Sequence, residues 1–317
     1  MEERVREMKL WLIRHGMTKG NQEHRYVGIT DESILPEEWE RLEKKADSMK
    51  IHPSIVFVSP ARRCRETAMC LFPELRRSVE SEYAADAGGA VTAIAIMAQA
   101  PVGLQRISGN GNEKADAQKM TDAGASRLIV IPEFMEMSFG AFEYKTYEEI
   151  NADPDPAHRA AYQRYIDSNG ETAFPGGESK AEFTKRVCDG FERAVLPRIQ
   201  ALMKATNASV ASETKAGMEP ELAFKPQEHR SAEDALLEIF DAGDETIGLH
   251  TLREDGSAAT SSALERSPSD GAPSIAIVAH GGTIMALMER YAEPKKSYFE
   301  WSVKPGEGYR LDVTYRS

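Results

Sequence analysis

Four short apolar runs along the chain each end in a polar segment that carries chemically reactive side chains. The runs lie at 9–13, 54–58, 127–131 and 274–279, and the segments that follow them are Arg14-His15-Gly16, Ser59-Pro60, Pro132-Glu133 and His280-Gly281-Gly282. Continuous apolar runs rich in β-branched residues are typical of strands that are buried on both faces. The pattern therefore predicts a buried sheet whose strands end at reactive groups.

Helical patterns separate the predicted strands. They cover about 37–50, 61–71, 157–168, 178–204 and 283–291. Strands that alternate with helices indicate an α/β fold, here a three-layer αβα arrangement with a largely parallel central sheet. In folds of this kind the functional site lies beyond the carboxyl ends of the strands. The polar segments after the four runs stand at that position.

Two segments interrupt the alternation. Residues 84–126 are rich in Ala and Gly, and residues 205–272 are acidic with Ser-rich stretches. Long connections without clear structure are uncommon inside compact domains. We therefore expect a single domain over residues 1–317 with insertions at about 84–126 and 205–272.

The acidic charge is concentrated in the second insertion. Residues 207–271 hold 14 acidic and 5 basic side chains, so nine of the twelve net negative charges lie there. Capping of the site, contact in a homo-oligomer and mobility all remain open for this segment. A lateral position is favoured, because acidic charge over the pocket would repel a phosphorylated substrate.

The amino-acid composition limits the classes of binding partner and indicates the cellular compartment. A net charge of -12 argues against a nucleic-acid binder, because affinity for the phosphate backbone comes from Lys and Arg. The three cysteines show neither metal-ligand spacing nor a disulfide framework, and no apolar stretch is long enough to span a bilayer. We expect a cytoplasmic protein that binds neither nucleic acid nor membrane.

The segment Arg14-His15-Gly16-Met17-Thr18 carries the most specific chemistry. A neutral imidazole is a good nucleophile near neutral pH, and an adjacent guanidinium offers a planar fork of donors to phosphate oxygens. Glycine after the histidine permits close approach of the backbone to a ligand. Together these residue types indicate a site for an oxyanion.

This segment resembles the Arg-His-Gly-x-Thr signature of the histidine phosphatase superfamily, also called the phosphoglycerate mutase-like superfamily. Four further elements follow in the family's order. They are Ser59-Pro60-Ala61-Arg62-Arg63-Cys64-Arg65-Glu66-Thr67-Ala68, Glu136-Met137-Ser138-Phe139-Gly140-Ala141-Phe142-Glu143, Phe174-Pro175-Gly176-Gly177-Glu178-Ser179 and Val278-Ala279-His280-Gly281-Gly282. The resemblance covers roughly 1–83, 127–204 and 273–317, and it is to bacterial members similar to α-ribazole phosphatase and to broad-specificity phosphatases. It implies a phosphoglycerate mutase-like fold.

The resemblance also implies the role of each residue. His15 is the nucleophile that carries the phosphoryl group, and Glu136 protonates the leaving oxygen. Three groups hold the phosphate oxygens, and three further residues bind substrate or add donors. The first three are Arg14, Arg63 and a protonated His280, and the others are Thr18, Asn21 and Gly281 with the neighbouring Gly282 N–H. No metal or cofactor is expected, since two arginines and an imidazolium supply the positive charge.

Two positions leave questions open at this stage. Glu133 is a rival acid three residues before Glu136, which is preferred because it keeps the family spacing to Phe139-Gly140. Glu143-Tyr144 stands where many members have Glu-Gly, a change that bears on the mouth of the site.

The expected function is hydrolysis of a phosphomonoester of a small metabolite through a phosphohistidine intermediate. One alternative is a phosphoglycerate-type mutase, although Gly28-Ile29-Thr30-Asp31 lacks the aromatic residue that mutases usually carry after this Gly. The other alternative is a non-catalytic regulatory protein on the same fold.

Overall fold

The computed structural model describes residues 5–49, 51–75, 127–202, 240–241, 274–292 and 295–316. The segment 84–126 lies outside these residues, as does 205–272 apart from the strand residues Phe240–Asp241. No helix in the described ranges combines the length and the apolar character needed to cross a bilayer.

Six strands form one sheet among the described residues. In chain order they are β1 (Val5–Arg14), β2 (Ile55–Val58), β3 (Arg127–Val130), β4 (Phe240–Asp241), β5 (Ser274–Ala279) and β6 (Gly308–Arg316). The spatial order is β3-β2-β5-β1-β6-β4. The first four in this order run parallel, whereas β6 lies antiparallel to both β1 and β4. The expectation of a largely parallel sheet is confirmed.

Alternate residues of the central strands enter two separate cores. On one face Leu12, Phe57 and Ile277 belong to the larger hydrophobic cluster. On the other face the neighbouring residues Val58 and Val278 belong to a second cluster. Because successive side chains of a strand point to opposite faces, this division requires a cover on both sides of the sheet.

Helices pack on both faces of the sheet. The α-helices include α1 (Lys19–Gln22), α2 (Pro36–Met49), α3 (Arg62–Leu71), α4 (Tyr147–Asn151), α5 (Pro156–Asp167), α6 (Lys180–Gly190) and α7 (Gly281–Tyr291). A π-helical turn over Phe191–Val195 extends α6. Helices α6 and α7 pack on the larger core through Phe183 and Ile284, and α2 and α3 pack on the second core through Leu42 and Ala68. The three-layer αβα architecture is therefore confirmed.

A smaller aromatic cluster lies beside the main layers. It contains Phe142, Ile150, Tyr162 and Phe174, with Tyr26 packed against it. Stacked and edge-to-face ring contacts of this kind add to the stabilisation from burial alone. The cluster joins α4 and α5 to the loops at the carboxyl edge of the sheet.

The carboxyl ends of the parallel strands meet at one edge of the sheet. Arg14 is the last residue of β1, Ser59 follows β2, and His280 lies between β5 and α7. Glu136 comes shortly after β3, beyond a 3₁₀ turn over Pro132–Phe134. The fold thus places the predicted site residues at a common edge, as parallel topology requires.

Truncation of an aromatic ring in the larger core should greatly lower the free energy of unfolding. Phe57 on β2 is fully buried, so Phe57→Ala should lower the free energy of unfolding by about 3–5 kcal/mol. Phe299→Ala is the matched control, because that ring is 48% exposed, and it should cost about 1 kcal/mol or less. Urea denaturation measures both values. Similar losses in the two variants would contradict the assignment of this core.

Candidate active site

His15 lies directly after β1, with its ring buried at the edge of the sheet. Its backbone N–H donates to the carbonyl of Ala279 at 2.9 Å, which ties it to the end of β5. Its Nδ1 lies 2.8 Å from the carbonyl oxygen of Gly16. A carbonyl only accepts hydrogen bonds, so Nδ1 carries the proton and Nε2 retains its lone pair.

The residue after His15 must be glycine. A Cβ atom on Gly16 would lie 2.7 Å from Cγ of Glu38 and 2.9 Å from Cδ1 of Leu42. The N–H of Gly16 donates to Oγ1 of Thr67 at 2.8 Å, and that hydroxyl donates to the carbonyl of Arg63 at 2.7 Å. The turn that orients His15 is therefore fixed by close packing and by hydrogen bonds to α3.

The charge state of His15 follows from its surroundings. Burial, together with the nearby guanidinium groups of Arg63 and Arg14, holds the pKa of the imidazole well below its ordinary value. The ring is neutral at neutral pH, which is the form that can act as a nucleophile.

His280 stands beside His15, with the two ring centroids 5.2 Å apart. Its Nδ1 lies 3.2 Å from Nη2 of Arg63, and its Nε2 lies 2.7 Å from Oγ of Ser59. A guanidinium only donates hydrogen bonds, so Nδ1 accepts and Nε2 donates to the Ser59 hydroxyl. The hydrogen-bond pattern thus describes a neutral ring.

The expected imidazolium at His280 is not what this arrangement favours. Burial and the charge of Arg63 place the pKa of His280 well below its ordinary value. A phosphate dianion in contact with the ring would act in the opposite direction and raise that pKa. Before an anion binds, the positive charge at the site therefore comes from the arginines.

Arg63 lies on α3 with its side chain fully buried. Its Nη1 donates to the carbonyl of Thr30 at 2.7 Å, and its Nη2 donates to the carbonyl of Gly28 at 2.8 Å. Its Nε is buried and has no hydrogen-bond partner among the described residues. Arg62 points elsewhere and forms an ion pair with Glu66, so Arg63 is the arginine of this helix start that reaches His280.

Arg14 supplies a second donor without an acceptor. Its Nη1 donates to the carbonyl of Val303 at 2.7 Å, while its buried Nε has no partner within the described part of the chain. A Cβ atom on Gly281 would lie 3.3 Å from Nε and Cζ of Arg14, so glycine leaves space at this guanidinium. Buried donors in native proteins are nearly always paired, and two unpaired guanidinium N–H groups indicate a site for an anion.

Glu136 is held by two backbone donors. Its Oε1 accepts from the N–H of Met137 at 3.0 Å, and its Oε2 accepts from the N–H of Gly282 at 3.2 Å. Burial raises the pKa of this carboxyl even though both hydrogen bonds and the nearby Arg63 and Arg14 act to lower it. A carboxyl with a raised pKa retains a proton closer to neutral pH, as a general acid must.

The bond to Gly282 corrects one expectation. The N–H groups of Gly281 and Gly282 were both expected to face the phosphate, but that of Gly282 is occupied by Glu136. A Cβ atom on Gly282 would also collide with Oε1 of Glu136. Gly282 therefore positions the acid.

Glu133 belongs to a different environment. It forms an ion pair with Arg193 in the π-helical turn, and it packs against the backbone of Gly190. Of the two candidate acids, only Glu136 is bound to the glycine pair that follows His280. The geometry supports the choice of Glu136.

Thr18 and Asn21 have local roles in the described structure. The hydroxyl of the buried Thr18 accepts from the N–H of Asn21 at 3.2 Å and thereby caps α1. The Oδ1 atom of Asn21 is buried and has no partner in the described ranges. Within those ranges, no hydrogen bond joins either side chain to His15, Arg63 or His280, and their expected contact with substrate stays a prediction.

Sequence reasoning assigned no role to Ser59 or Glu143, yet both contact the groups that surround His15. Ser59 fixes the tautomer of His280, as described above. Glu143 Oε1 accepts from the N–H of Gly28 and of Thr30, each at 2.9 Å, and from the Thr30 hydroxyl at 2.8 Å. It therefore holds the loop whose carbonyls bind Arg63. Both residues lie inside quoted motifs, but their partners are far away in sequence.

Tyr144 occupies a backbone conformation that favours glycine. Its φ is 61°, in the left-handed region, at the position where many members of the family that the sequence resembles have Gly. Its hydroxyl donates to Glu32 at 3.2 Å, and its ring lies under the guanidinium of Arg25, 5.1 Å from the centroid. These contacts offset the strain and order the loop at residues 25–32.

Comparison with protein families and with known proteins gives one family match. A model described as histidine phosphatase superfamily (branch 1) matches residues 10–84 and 114–200, so His280 lies beyond the matched residues. No curated protein sequence matches the chain.

Two solved structures illustrate the degree of similarity. The alpha-ribazole phosphatase from Shigella flexneri is 15% identical, with 98% of this chain and 95% of that chain covered at a TM-score of 0.48. A mycobacterial glucosyl-3-phosphoglycerate phosphatase is 18% identical, with 97% and 91% covered at a TM-score of 0.45. At these values neither similarity bears on the activity of this chain.

The lowered pKa values of the two buried histidines predict an unusual titration. An ordinary imidazole with a pKa of about 6.5 gains most of its proton between pH 7.5 and 5.5. The Cε1–H resonances of His15 and His280 should stay nearly constant over this range in the phosphate-free protein. NMR titration measures this, with His15→Asn and His280→Asn assigning the signals. A midpoint near pH 6.5 for His15 would show that the ring is not held neutral.

Proposed function

Because the chain belongs to the histidine phosphatase superfamily, branch 1, we propose that it hydrolyses a phosphomonoester of a small metabolite through a phosphohistidine at His15. Members of this superfamily are phosphatases or mutases. The observation that carries the proposal is the pair of buried, unpaired Nε atoms of Arg14 and Arg63 close to a neutral imidazole whose Nε2 is free.

In the first step, the Nε2 lone pair of His15 attacks phosphorus. An N–P bond forms while the P–O bond to the leaving group breaks, and the departing oxygen takes the proton from Glu136. The guanidinium groups of Arg14 and Arg63 donate to the equatorial oxygens and offset the charge of the transferring group. The carbonyl oxygen of Gly16, which accepts the hydrogen bond from Nδ1, stabilises the positive charge that develops on the ring.

In the second step, water attacks the phosphorus atom of the phosphohistidine. Glu136, now ionised, accepts a proton from that water, and the N–P bond breaks with its electron pair returning to Nε2. Inorganic phosphate leaves and the initial protonation states are restored. One carboxyl thus acts as acid and then as base, which suits a group whose pKa is raised.

The surrounding chain fits this proposal. The family model skips 85–113, which supports an insertion in this part of the chain. Strand β5, which follows 205–272, lies between β2 and β1 in the same sheet, which supports 205–272 as a second insertion in a single domain. Cys64, Cys70 and Cys188 are buried thiols that form no disulfide, which supports a reducing, cytoplasmic location.

Replacing the nucleophile tests the proposal directly. His15→Ala should lower kcat for p-nitrophenyl phosphate by more than about 10³-fold, because nucleophile and phosphate carrier are both lost. Released inorganic phosphate is the measurement, and circular dichroism of the variant is the control for folding. Wild-type protein that releases no phosphate from a panel of phosphorylated metabolites, or that isomerises 3-phosphoglycerate without releasing phosphate, would contradict the assignment as a hydrolase.

The acid role predicts a dependence on the leaving group. Glu136→Gln should lower kcat/KM for phenyl phosphate by about 10²-fold or more, and kcat/KM for p-nitrophenyl phosphate by about tenfold or less, because nitrophenolate needs little protonation. The later attack of water, which is common to both substrates, does not enter kcat/KM. The two substrates differ little in size, so their ratio isolates proton transfer. Glu133→Gln is the matched control and should leave the ratio unchanged. Equal losses on both substrates in Glu136→Gln would overturn the acid assignment.

A further inference from the structure

Arg186 on α6 and Glu178, two residues before that helix, form a bidentate ion pair. Nε of Arg186 donates to Oε1 of Glu178 at 2.8 Å, and Nη2 donates to Oε2 at 2.7 Å. The side chains are 28% and 24% exposed. Glu178 belongs to the segment Phe174–Ser179, which resembles the family but has no part in the mechanism described above.

The same guanidinium binds the chain that carries Glu136. Nη1 of Arg186 donates to the carbonyls of Glu133 at 2.8 Å and Met135 at 3.0 Å. Nη2 makes a longer contact of 3.4 Å with the carbonyl of Glu136 itself. A planar group with five N–H donors can make these bonds together with the ion pair, whereas an ammonium group cannot.

Glu178 binds the same chain on the other side of the acid. Its Oε2 accepts from the N–H of Ser138 at 2.9 Å, and its own N–H donates to the carbonyl of Ser138 at 2.9 Å. Residues 136–139 belong to no helix or strand. The backbone on both sides of Glu136 is therefore held by the Arg186–Glu178 pair in place of regular secondary structure.

The charges of the pair compensate each other close to the acid. Burial on its own raises the pKa of Glu178, but the hydrogen bonds from Arg186 and from the Ser138 N–H outweigh it, so the pKa lies below its ordinary value. The Glu178 carboxylate is therefore ionised at neutral pH and binds both Arg186 and the N–H of Ser138.

A second contact connects the pair to the other side of the acid. The guanidinium of Arg186 lies over the ring of Phe183, 5.1 Å from its centroid. That ring would be 3.1 Å from a Cβ atom on Gly282, whose N–H binds Oε2 of Glu136. Arg186 therefore contacts the backbone around Glu136 directly, and through Phe183 it packs against Gly282, whose N–H binds the Glu136 carboxyl.

From these contacts, and given the proposed phosphatase activity, we propose that the Arg186–Glu178 pair positions Glu136 for proton transfer to the leaving group. Proton transfer requires heavy-atom distances within about 2.6–3.2 Å, and small displacements of a catalytic group reduce rates strongly. Neither residue touches the phosphate or donates the proton. An ion pair that only stabilises the fold would affect all substrates equally.

The substitution Arg186→Lys keeps the charge and removes the planar fork. It should lower kcat/KM for phenyl phosphate by about tenfold or more and kcat/KM for p-nitrophenyl phosphate by about threefold or less, because kcat/KM reports proton transfer to the leaving group and excludes the later attack of water. In the Glu136→Gln background it should cause no further change in the ratio of the two rates. Lys185→Met is the matched control, because Lys185 is the neighbouring residue on α6, is 76% exposed and pairs with the exposed Asp189.

Hydrogen exchange provides a readout that does not need turnover. The N–H of Gly282 lies in the first turn of α7, where no helical acceptor exists, and its acceptor is Glu136. Arg186→Lys should speed exchange of this amide about tenfold relative to wild type and to Lys185→Met. If Arg186→Lys does not fold, Glu178→Gln is measured in the same way.

The two proposals fail in different ways. Wild-type protein without phosphatase activity would overturn the proposed function, while Gly282 exchange would still test the positioning role. Equal rate losses on both substrates with unchanged Gly282 exchange would overturn the positioning role and leave the phosphatase assignment standing. A selective loss on phenyl phosphate together with faster Gly282 exchange is the result expected.

Discussion

The site depends on the burial of two guanidinium groups beside a neutral imidazole. Arg63 and the Nε of Arg14 are withdrawn from water, and the charge of both guanidinium groups, added to burial of the imidazole, keeps His15 neutral. A buried N–H donor without an acceptor destabilises the folded protein, unless a bound ligand supplies the acceptor. The same positive charge that binds a phosphate therefore also maintains the nucleophile in its reactive form.

The fold maintains this arrangement through backbone contacts. The ends of β1 and β5 are joined by the bond from the His15 N–H to Ala279, and the Arg63 guanidinium is held by the carbonyls of Gly28 and Thr30. Glycines at the turns allow side chains to approach the chain more closely than a Cβ would permit. Two charged side chains also stabilise the loops of the site: Glu143 binds the N–H of Gly28, and Arg186 binds the carbonyl of Glu133.

The sequence predicts the layered fold and the central residues because both rest on local patterns. The apolar runs ending at His15 and His280 reveal strands, and family membership confirms the phosphoglycerate mutase-like fold. The antiparallel strand β6 was not predicted. The neutral state of His280 and the support from Glu143 and Arg186 depend on partners distant in sequence, so no local pattern indicates them.

In the proposed mechanism, Nε2 of His15 forms a bond to phosphorus while Arg14 and Arg63 hold the oxygens. A crystal structure with orthovanadate tests it most directly, because vanadate adopts the trigonal bipyramid of the transferring group. The proposed mechanism predicts that vanadium is bonded to Nε2 of His15, and that Nε of Arg14 and Nε of Arg63 donate to the equatorial oxygens of the vanadate. Vanadate bound away from His15, or bound there without contact to Arg63, would contradict it.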